Sequence, residues 1–479
     1  MKNLKGRTIR GGVAKTGAQA INILLRIGSL MVLARLLDPE DFGLIGMVTA
    51  VTGVFSLFKD AGLSMATIQR AAISNEQVST LFWINMLVGA ILGFLSTALA
   101  PLLVLFYHEP RLLWVTVALA LGFVLNAAGV QHAALLQREM RFVALSVIEV
   151  ASQLVGVAVG IGMAVGGSGY WALVAMALVM PATTTVGAWL ATAWVPGAPR
   201  RGIGIGSMMR FGGIVTLNGL VVYVAYNTEQ VLLGRFWGAD ALGIYGRGYQ
   251  LVSIPTESLS AAVGGVAFSA LSRLQGEPGR LKQYFLKGYS IIVSMTLPIT
   301  VACALFSDDL ILFLLGPKWM DAAVIFRFLA PTILVFSLVN PLSWLLYSIG
   351  LAERSLKIAF LIAPTVIAAY IIGLPFGPNG VALGYSAAMI LLSLPIAAWA
   401  IHGTIIGPRD LLQAVRKPLI STVAAAAFAL AVHQGFGPSL PLVPRLALGC
   451  GILFGTYVWM LLYVMGQKAF YLDLLRELT

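Results

Sequence analysis

The feature that most constrains this chain is the recurrence of apolar stretches, from Gly12 to Met465, with few charges inside them. Each is about 20 residues long, enough to cross a hydrocarbon core about 30 Å thick. Backbone N–H and C=O groups have no water partner in lipid, so a spanning segment must satisfy them internally, which makes these spans helices. Composition points the same way: 59% of the 479 residues are hydrophobic and 10% are charged. A soluble domain carries about 25% charged residues, so this chain lacks the charge to coat a water-facing surface of its size. The first apolar segment contains Lys15, Gln19, Asn22 and Arg26. It is too long and too polar for the core of a cleavable signal, and it reads as a retained first span.

The pattern divides into about fourteen spans. They run over 12–37, 43–67, 79–106, 112–136, 142–165, 169–195, 208–235, 242–271, 283–306, 322–349, 356–375, 380–402, 415–434 and 445–466. Loop charge orients them. With the N-terminus in the cytoplasm, inner loops collect Arg70, Arg138, Arg141, Arg200, Arg201, Arg273, Arg280, Lys282, Arg354, Lys357, Arg409, Arg416 and Lys417. The C-terminal Lys468 and Arg476 fall inside as well. Outer loops carry Arg111, Lys318 and Arg445 beside the acidic Asp38, Glu40, Asp41, Asp240, Asp308 and Asp309. This is the positive-inside asymmetry, and a missed span would invert every later loop. The net charge of +12 is therefore topological, and nucleic acid is not an expected partner. Two cysteines in separate apolar runs (Cys303, Cys450) and four scattered histidines imply neither a disulfide framework nor a metal site.

The chain also repeats itself at an offset of 200 residues. Arg10-Gly11-Gly12 aligns with Arg210-Phe211-Gly212, and Leu33-Ala34-Arg35 with Leu233-Gly234-Arg235. Glu40-Asp41-Phe42-Gly43-Leu44-Ile45-Gly46 aligns with Asp240-Ala241-Leu242-Gly243-Ile244-Tyr245-Gly246. Six spans precede the second copy, so both copies start on the same side, as parallel repeats related by an axis along the membrane normal. The expected organisation is an N-terminal six-helix lobe (1–196), a cytoplasmic linker (197–207), a second six-helix lobe (208–403), and two further helices with a cytoplasmic tail (404–479). The fold class is thus an all-α membrane protein, a V-shaped transporter whose lobes rock about a site between them.

The segments LARLLDPEDFGLIGMV (33–48) and DAGLSMATIQR (60–70) resemble the opening helices of the bacterial polysaccharide transporter family. These are the Wzx-like flippases and exporters of lipid-linked oligosaccharides, within the superfamily that includes the MATE drug exporters and the lipid II flippase. LLGRFWGADALGIYGRGYQL (232–251) resembles the second-lobe counterpart. Within the family, the first motif is most similar to the colanic-acid and teichuronic-acid type of exporter. The resemblance implies export of a polyprenyl-pyrophosphate-linked repeat unit from the cytoplasmic to the outer leaflet of a bacterial inner membrane. Membrane lipids, and a polymerase and glycosyltransferases of the same pathway, would be its partners. A MATE-like cation exporter and a membrane enzyme of the same pathway are the alternatives. No glycine loop of the Walker type occurs, so direct use of ATP is not expected, and no cofactor is implied.

Ionisable residues within spans are costly and mark candidate function. Lys15, Gln19, Asn22, Arg26 and Ser29 recur at spacings of three and four, which places them on one face of the first helix. Arginine suits a phosphate through its planar fork of donors, so Arg26 is read as an anion ligand or as half of a structural ion pair. Lys15 either contacts substrate or snorkels to the interface. Lys59 is a candidate pyrophosphate ligand and Asp60 a candidate coupling group, or the two form an ion pair or helix-end cap, while Glu149 either neutralises Arg26 or titrates as a coupling carboxylate. In the second lobe Arg26 is matched by Tyr226 and Lys15 by Val215. There Tyr223, Tyr226 and Asn227 are candidate sugar-facing groups, though interfacial aromatic belts also account for tyrosines. Arg247 and Arg327 are candidate pyrophosphate ligands or ion-pair members, and Glu257 is a candidate coupling or ion-pair group.

Overall fold

The computed structural model describes residues 2–58, 64, 67–68, 73–200 and 206–478; within these, side chains are described from 15 onward, except 16, 206–219, 221–222, 259–270, 352, 438 and 474–478. Among the described residues the chain is almost wholly helical. In chain order the first part comprises α1 (Lys2–Leu36), α2 (Pro39–Ser56), α3 (Asn75–Tyr107), α4 (Leu112–Arg138), α5 (Phe142–Val165) and α6 (Trp171–Thr192). Next come α7 (Gly206–Arg273), α8 (Pro278–Leu305), the short α9 (Ser307–Leu314), α10 (Asp321–Leu329) and α11 (Pro331–Ser348). The chain closes with α12 (Ala352–Gly373), α13 (Gly377–Ile401), α14 (Pro408–Phe436), α15 (Leu442–Trp459) and α16 (Lys468–Leu478).

Among the described residues, ten stretches are long and apolar enough to cross a membrane, Glu353–Ile401 among them covering two helices. The expected spans seven and eight are one helical run, α7, bent at Gly238, whose φ of 84° only glycine adopts without strain. Gly238 is the repeat counterpart of Asp38, which stands between α1 and α2. There the turn uses different chemistry: Pro39 fixes the first φ, and the Asp41 carboxylate accepts from the Asp38 N–H at 3.1 Å. Leu190, Leu391 and Leu394 are 78%, 75% and 79% exposed, which suits a surface solvated by lipid tails.

The molecule divides into two compact units, Met1–Gly243 and Ile244–Thr479. The division falls beyond the 197–207 linker, so the opening helix of the second copy belongs to the first unit. Within that unit α3 and α4 pack through small residues; a Cβ added at Gly93 would stand 3.2 Å from the Ala120 carbonyl. Trp189 and Thr185 of α6 donate to the α4 carbonyls of Ala128 (2.8 Å) and Leu125 (2.7 Å). The chain leaving α6 is tied along α3. Trp83 Nε1 donates to the Gly197 carbonyl at 2.9 Å, and Ser79 and Thr80 hydroxyls accept from Gly197 and Arg200 N–H groups at 3.0 Å.

In the second unit α8, α14 and α15 share an apolar cluster of Ala302, Phe306, Ala425, Ala429, Leu453, Tyr457 and Leu461. Tyr457 donates to the Ser294 carbonyl and Tyr471 of α16 to the Ser294 hydroxyl, both at 2.7 Å. The α16 helix has no counterpart among the expected spans, because its sequence alternates Lys468, Asp473, Arg476 and Glu477 with apolar residues.

Two arginines act alike in the two copies. Arg141, just before α5, donates to the Ala191 carbonyl at the end of α6 at 2.8 Å. Arg354, in the first turn of α12, donates to the His402 carbonyl just past α13 at 2.6 Å. Each satisfies a helix C-terminus that has no partner of its own and complements its dipole.

Candidate functional site

The polar face of α1 is assembled as its spacing requires. Gln19 is exposed, while Asn22 and Arg26 are half-buried in the middle of the helix. Lys15 is exposed and precedes the apolar stretch Gly17–Leu36, a position that suits the headgroup boundary. Opposite this face, Ile21 and Leu24 are 47% and 70% exposed, as lipid-facing groups would be. The α1 helix packs against α5, and there Asn22 Nδ2 donates to Glu149 Oε1 at 3.1 Å. Glu149 thus stands beside the polar stripe of α1, in contact with Asn22. Arg26 is itself engaged in a contact within the fold, and Ser29 donates to its carbonyl at 3.0 Å. Asn22 Oδ1 is buried and accepts no hydrogen bond from the described residues. The stripe therefore offers a permanent cation, an amide acceptor and a nearby carboxylate on two packed helices. Such a set suits an anionic, hydroxyl-bearing ligand.

In α7 two of the three candidate sugar-facing groups have partners within the fold. The Tyr223 hydroxyl is committed to the backbone of α2, donating to the Thr49 carbonyl at 2.9 Å and lying 3.3 Å from that of Ala50. Asn227 donates back to the Tyr223 carbonyl at 2.9 Å and accepts from Gln230 at 3.3 Å. The Tyr223 bond ties α7 to α2, while those of Asn227 stay within α7; Tyr226 is half-buried and is itself engaged within the fold. Glu229, which the sequence places near the outer end of the seventh span without a role, has a fully buried side chain that is held by a contact within the fold.

The remaining candidates are dispersed. Arg327 Nε donates to Ser307 Oγ at 2.8 Å and Nη2 pairs with Asp308, so it ties α10 to α9. Arg247 donates to Gln250 one turn along its own helix, and Glu257 is exposed on α7 and engaged within the fold. Lys59 and Asp60 lie outside the described residues. Among the described residues no group of three His, Cys, Asp or Glu side chains is disposed to hold a metal.

A bundle of long apolar helices built from a tandem repeat, with a cationic polar stripe inside the membrane, defines a transporter-like multi-pass membrane protein. Residues 32–324 match the family described as polysaccharide biosynthesis protein, and the chain belongs to that family. It is 27% identical over 401 residues to the lipopolysaccharide biosynthesis protein WzxC of Escherichia coli K12, covering 81% of this chain and 80% of that one. It is 28% identical over 299 residues to the teichuronic acid biosynthesis protein TuaB of Bacillus subtilis, covering 61% of each. Among solved structures, the lipid II flippase MurJ in an inward closed conformation superposes with a TM-score of 0.73 at 13% identity. That match covers 98% of this chain and 100% of MurJ. An inward-facing MATE multidrug transporter superposes with a TM-score of 0.65 at 14% identity, covering 85% and 99%. The fold is the one these transporters share, as the resemblance implied.

Proposed function

We propose that this chain moves a polyprenyl-pyrophosphate-linked oligosaccharide repeat unit from the cytoplasmic to the outer leaflet during synthesis of a cell-surface polysaccharide. The observation that carries the reading is the intramembrane stripe of α1. In a family of polysaccharide biosynthesis proteins with this fold, Arg26, Asn22 and Gln19 present a cation and amide groups beside Glu149. The guanidinium would hold the pyrophosphate, the amides would meet sugar hydroxyls, and Glu149 would keep the empty stripe from carrying uncompensated charge. Lys15, at the boundary, would receive the headgroup first. Lys59, Arg247, Tyr226 and the carboxylates Asp60 and Glu257 are secondary candidates for the same path.

The orientation belonging to this proposal puts both termini in the cytoplasm and the α1–α2 and α7 turns outside, in a bacterial inner membrane. Two six-helix lobes, 1–196 and 208–403, would move as the repeats, with 404–479 appended. Moving each negative charge outward is favoured by about 2.3 kcal/mol per 100 mV, inside negative, so the potential can assist export. A polymerase and glycosyltransferases would supply and consume the substrate. A MATE-like exporter of cations would call for acidic groups along α1, where this chain has Lys15 and Arg26.

The test is to deplete the protein and locate the lipid-linked repeat units. Accumulation on the cytoplasmic leaflet is expected. Accumulation on the outer leaflet would overturn the proposal in favour of a polymerase.

A further inference from the structure

The two copies of the repeated motif meet each other through their equivalent glycines. A Cβ built at Gly43 would overlap the Ala239 carbonyl, and one built at Gly243 would overlap the Pro39 carbonyl. Ala239 is the counterpart of Pro39 at the same 200-residue offset that relates Gly243 to Gly43. The contact is therefore reciprocal: each copy presents its glycine to the backbone carbonyl that its partner copy presents in return. Two residues per copy build it, Pro39 and Gly43 in one and Ala239 and Gly243 in the other, and both halves lie within the first compact unit.

Contacts on either side of the crossing have a different character. Gly46 faces the Leu242 side chain, with a built Cβ 3.5 Å from Leu242 Cγ, and Gly234 is covered by Met47 and Tyr107. Further along α2, a Cβ at Gly53 would overlap the Tyr223 hydroxyl, which donates to the Thr49 carbonyl. Of the nearby charges, Asp41 accepts from the Asp38 N–H, and Glu40 pairs with Arg111, which also holds Glu109; Asp240 and Arg235 are engaged within the fold as well. The crossing itself thus consists of backbone and apolar surface, with Tyr223 supplying a directed polar bond some way off. Close backbone approach at paired small residues gives tight contact without strong directional bonds. A contact of that kind can form and part repeatedly without leaving a charge stranded.

We infer that the Gly43–Gly243 crossing is the outer closing contact of the transport cycle, which must separate for substrate to leave and re-form for the next load. The inference rests on the orientation and activity proposed above. Glycine is required at both positions because any Cβ holds the two backbones apart. Tyr223 acts as a latch on the closed arrangement and is present in the second copy alone, its counterpart being Ile23.

The test uses the full chain with Cys303→Ser and Cys450→Ser, carrying Gly46→Cys with Leu242→Cys. The spacing at this pair is within reach of a disulfide. A protease site placed in the 197–200 segment reports the cross-link as a product that stays joined after cleavage. The expected result is a spontaneous cross-link that abolishes polysaccharide export, with recovery on adding a reductant. Failure of the cross-link to form overturns the contact, and a cross-linked protein that still exports overturns the gate. If the cysteine-free parent fails to support export at all, the activity reading has failed instead. The gate is then read without it, by labelling Leu242→Cys with a membrane-impermeant maleimide added from outside. Gly43→Leu should raise that labelling severalfold over the Gly43 parent, and unchanged labelling would overturn the gate.

Discussion

The α1–α2 segment and its copy in α7 began as the same sequence pattern, yet they now do different work. In the first copy the mid-membrane face carries Arg26 and Asn22, with Glu149 supplied by α5. In the second copy the position of Arg26 is Tyr226, Tyr223 donates to the α2 backbone, and Asn227 bonds within its own helix. What the copies share is the geometry at their bends: a break at 38 and 238, then glycines at 43 and 243 that receive each other's backbone. A duplicated bundle can let its lining diverge, because side chains facing an aqueous path are free of packing constraints. The crossing has no such freedom, since each half is the surface against which the other fits.

The comparison breaks most readily at its charged half. Arg26→Ala should reduce export at least about tenfold at unchanged protein level, the cost of losing a charge-assisted contact in a desolvated site. Tyr226→Ala at the matching position should reduce it far less. Equal losses, measured as complementation of polysaccharide export, would show that the copies share the anion load. Next in size is the shared half. Gly43→Ala and Gly243→Ala should each lower stability by about 1–3 kcal/mol through overpacking. Gly246→Ala, where a built Cβ meets nothing within 4 Å, should change it by under about 0.5 kcal/mol. Thermal unfolding in detergent distinguishes the three.

Smaller still is the effect of the two capping arginines. Arg141→Ala and Arg354→Ala should each cost about 1 kcal/mol, and similarly, because each removes a donor from a helix C-terminus in an equivalent place. A large difference between them would mean that one arginine has a second task.

The smallest expected effect is one of pH. The hydrogen bond from Arg111 holds the Glu109 carboxyl below its ordinary range. Its stabilising contribution is thus complete above the ordinary carboxylate pKa and is lost as pH falls through the lowered folded-state value. Glu109→Gln should remove that small acid-limb component from the pH dependence of unfolding and leave stability at pH 7 only slightly reduced.

Much of the fold was legible because lipid makes secondary structure a local matter. Thirteen long helices, one of them bent at Gly238, answer to the fourteen expected spans. The bend at 238 was expected as a loop; with helix on both sides of one glycine, the chain turns without leaving helical geometry for more than a residue. The α16 segment escaped notice because it alternates charged and apolar residues, which hydropathy reads as a polar tail. The polar stripe of α1 was legible from spacings of three and four, which put its members on one face wherever the helix lies.

The partners of those side chains were a different matter. The repeat offset identified Gly43 and Gly243 as equivalent, but that they cross each other is a property of two backbones nearly 200 residues apart. Arg327 has the same charge and apolar surroundings as Arg26, and its neighbours along the chain give no reason to assign it to Asp308 rather than to a ligand. That the Tyr223 hydroxyl donates to the Thr49 carbonyl depends on α2 lying beside it. The amino-acid pattern alone therefore settled the helices, the duplication and the polar face of α1, because hydrogen bonding and periodicity act within a segment. Which charge is neutralised, which hydroxyl is occupied and which glycines touch were settled by packing, because each depends on a group brought from elsewhere in the chain.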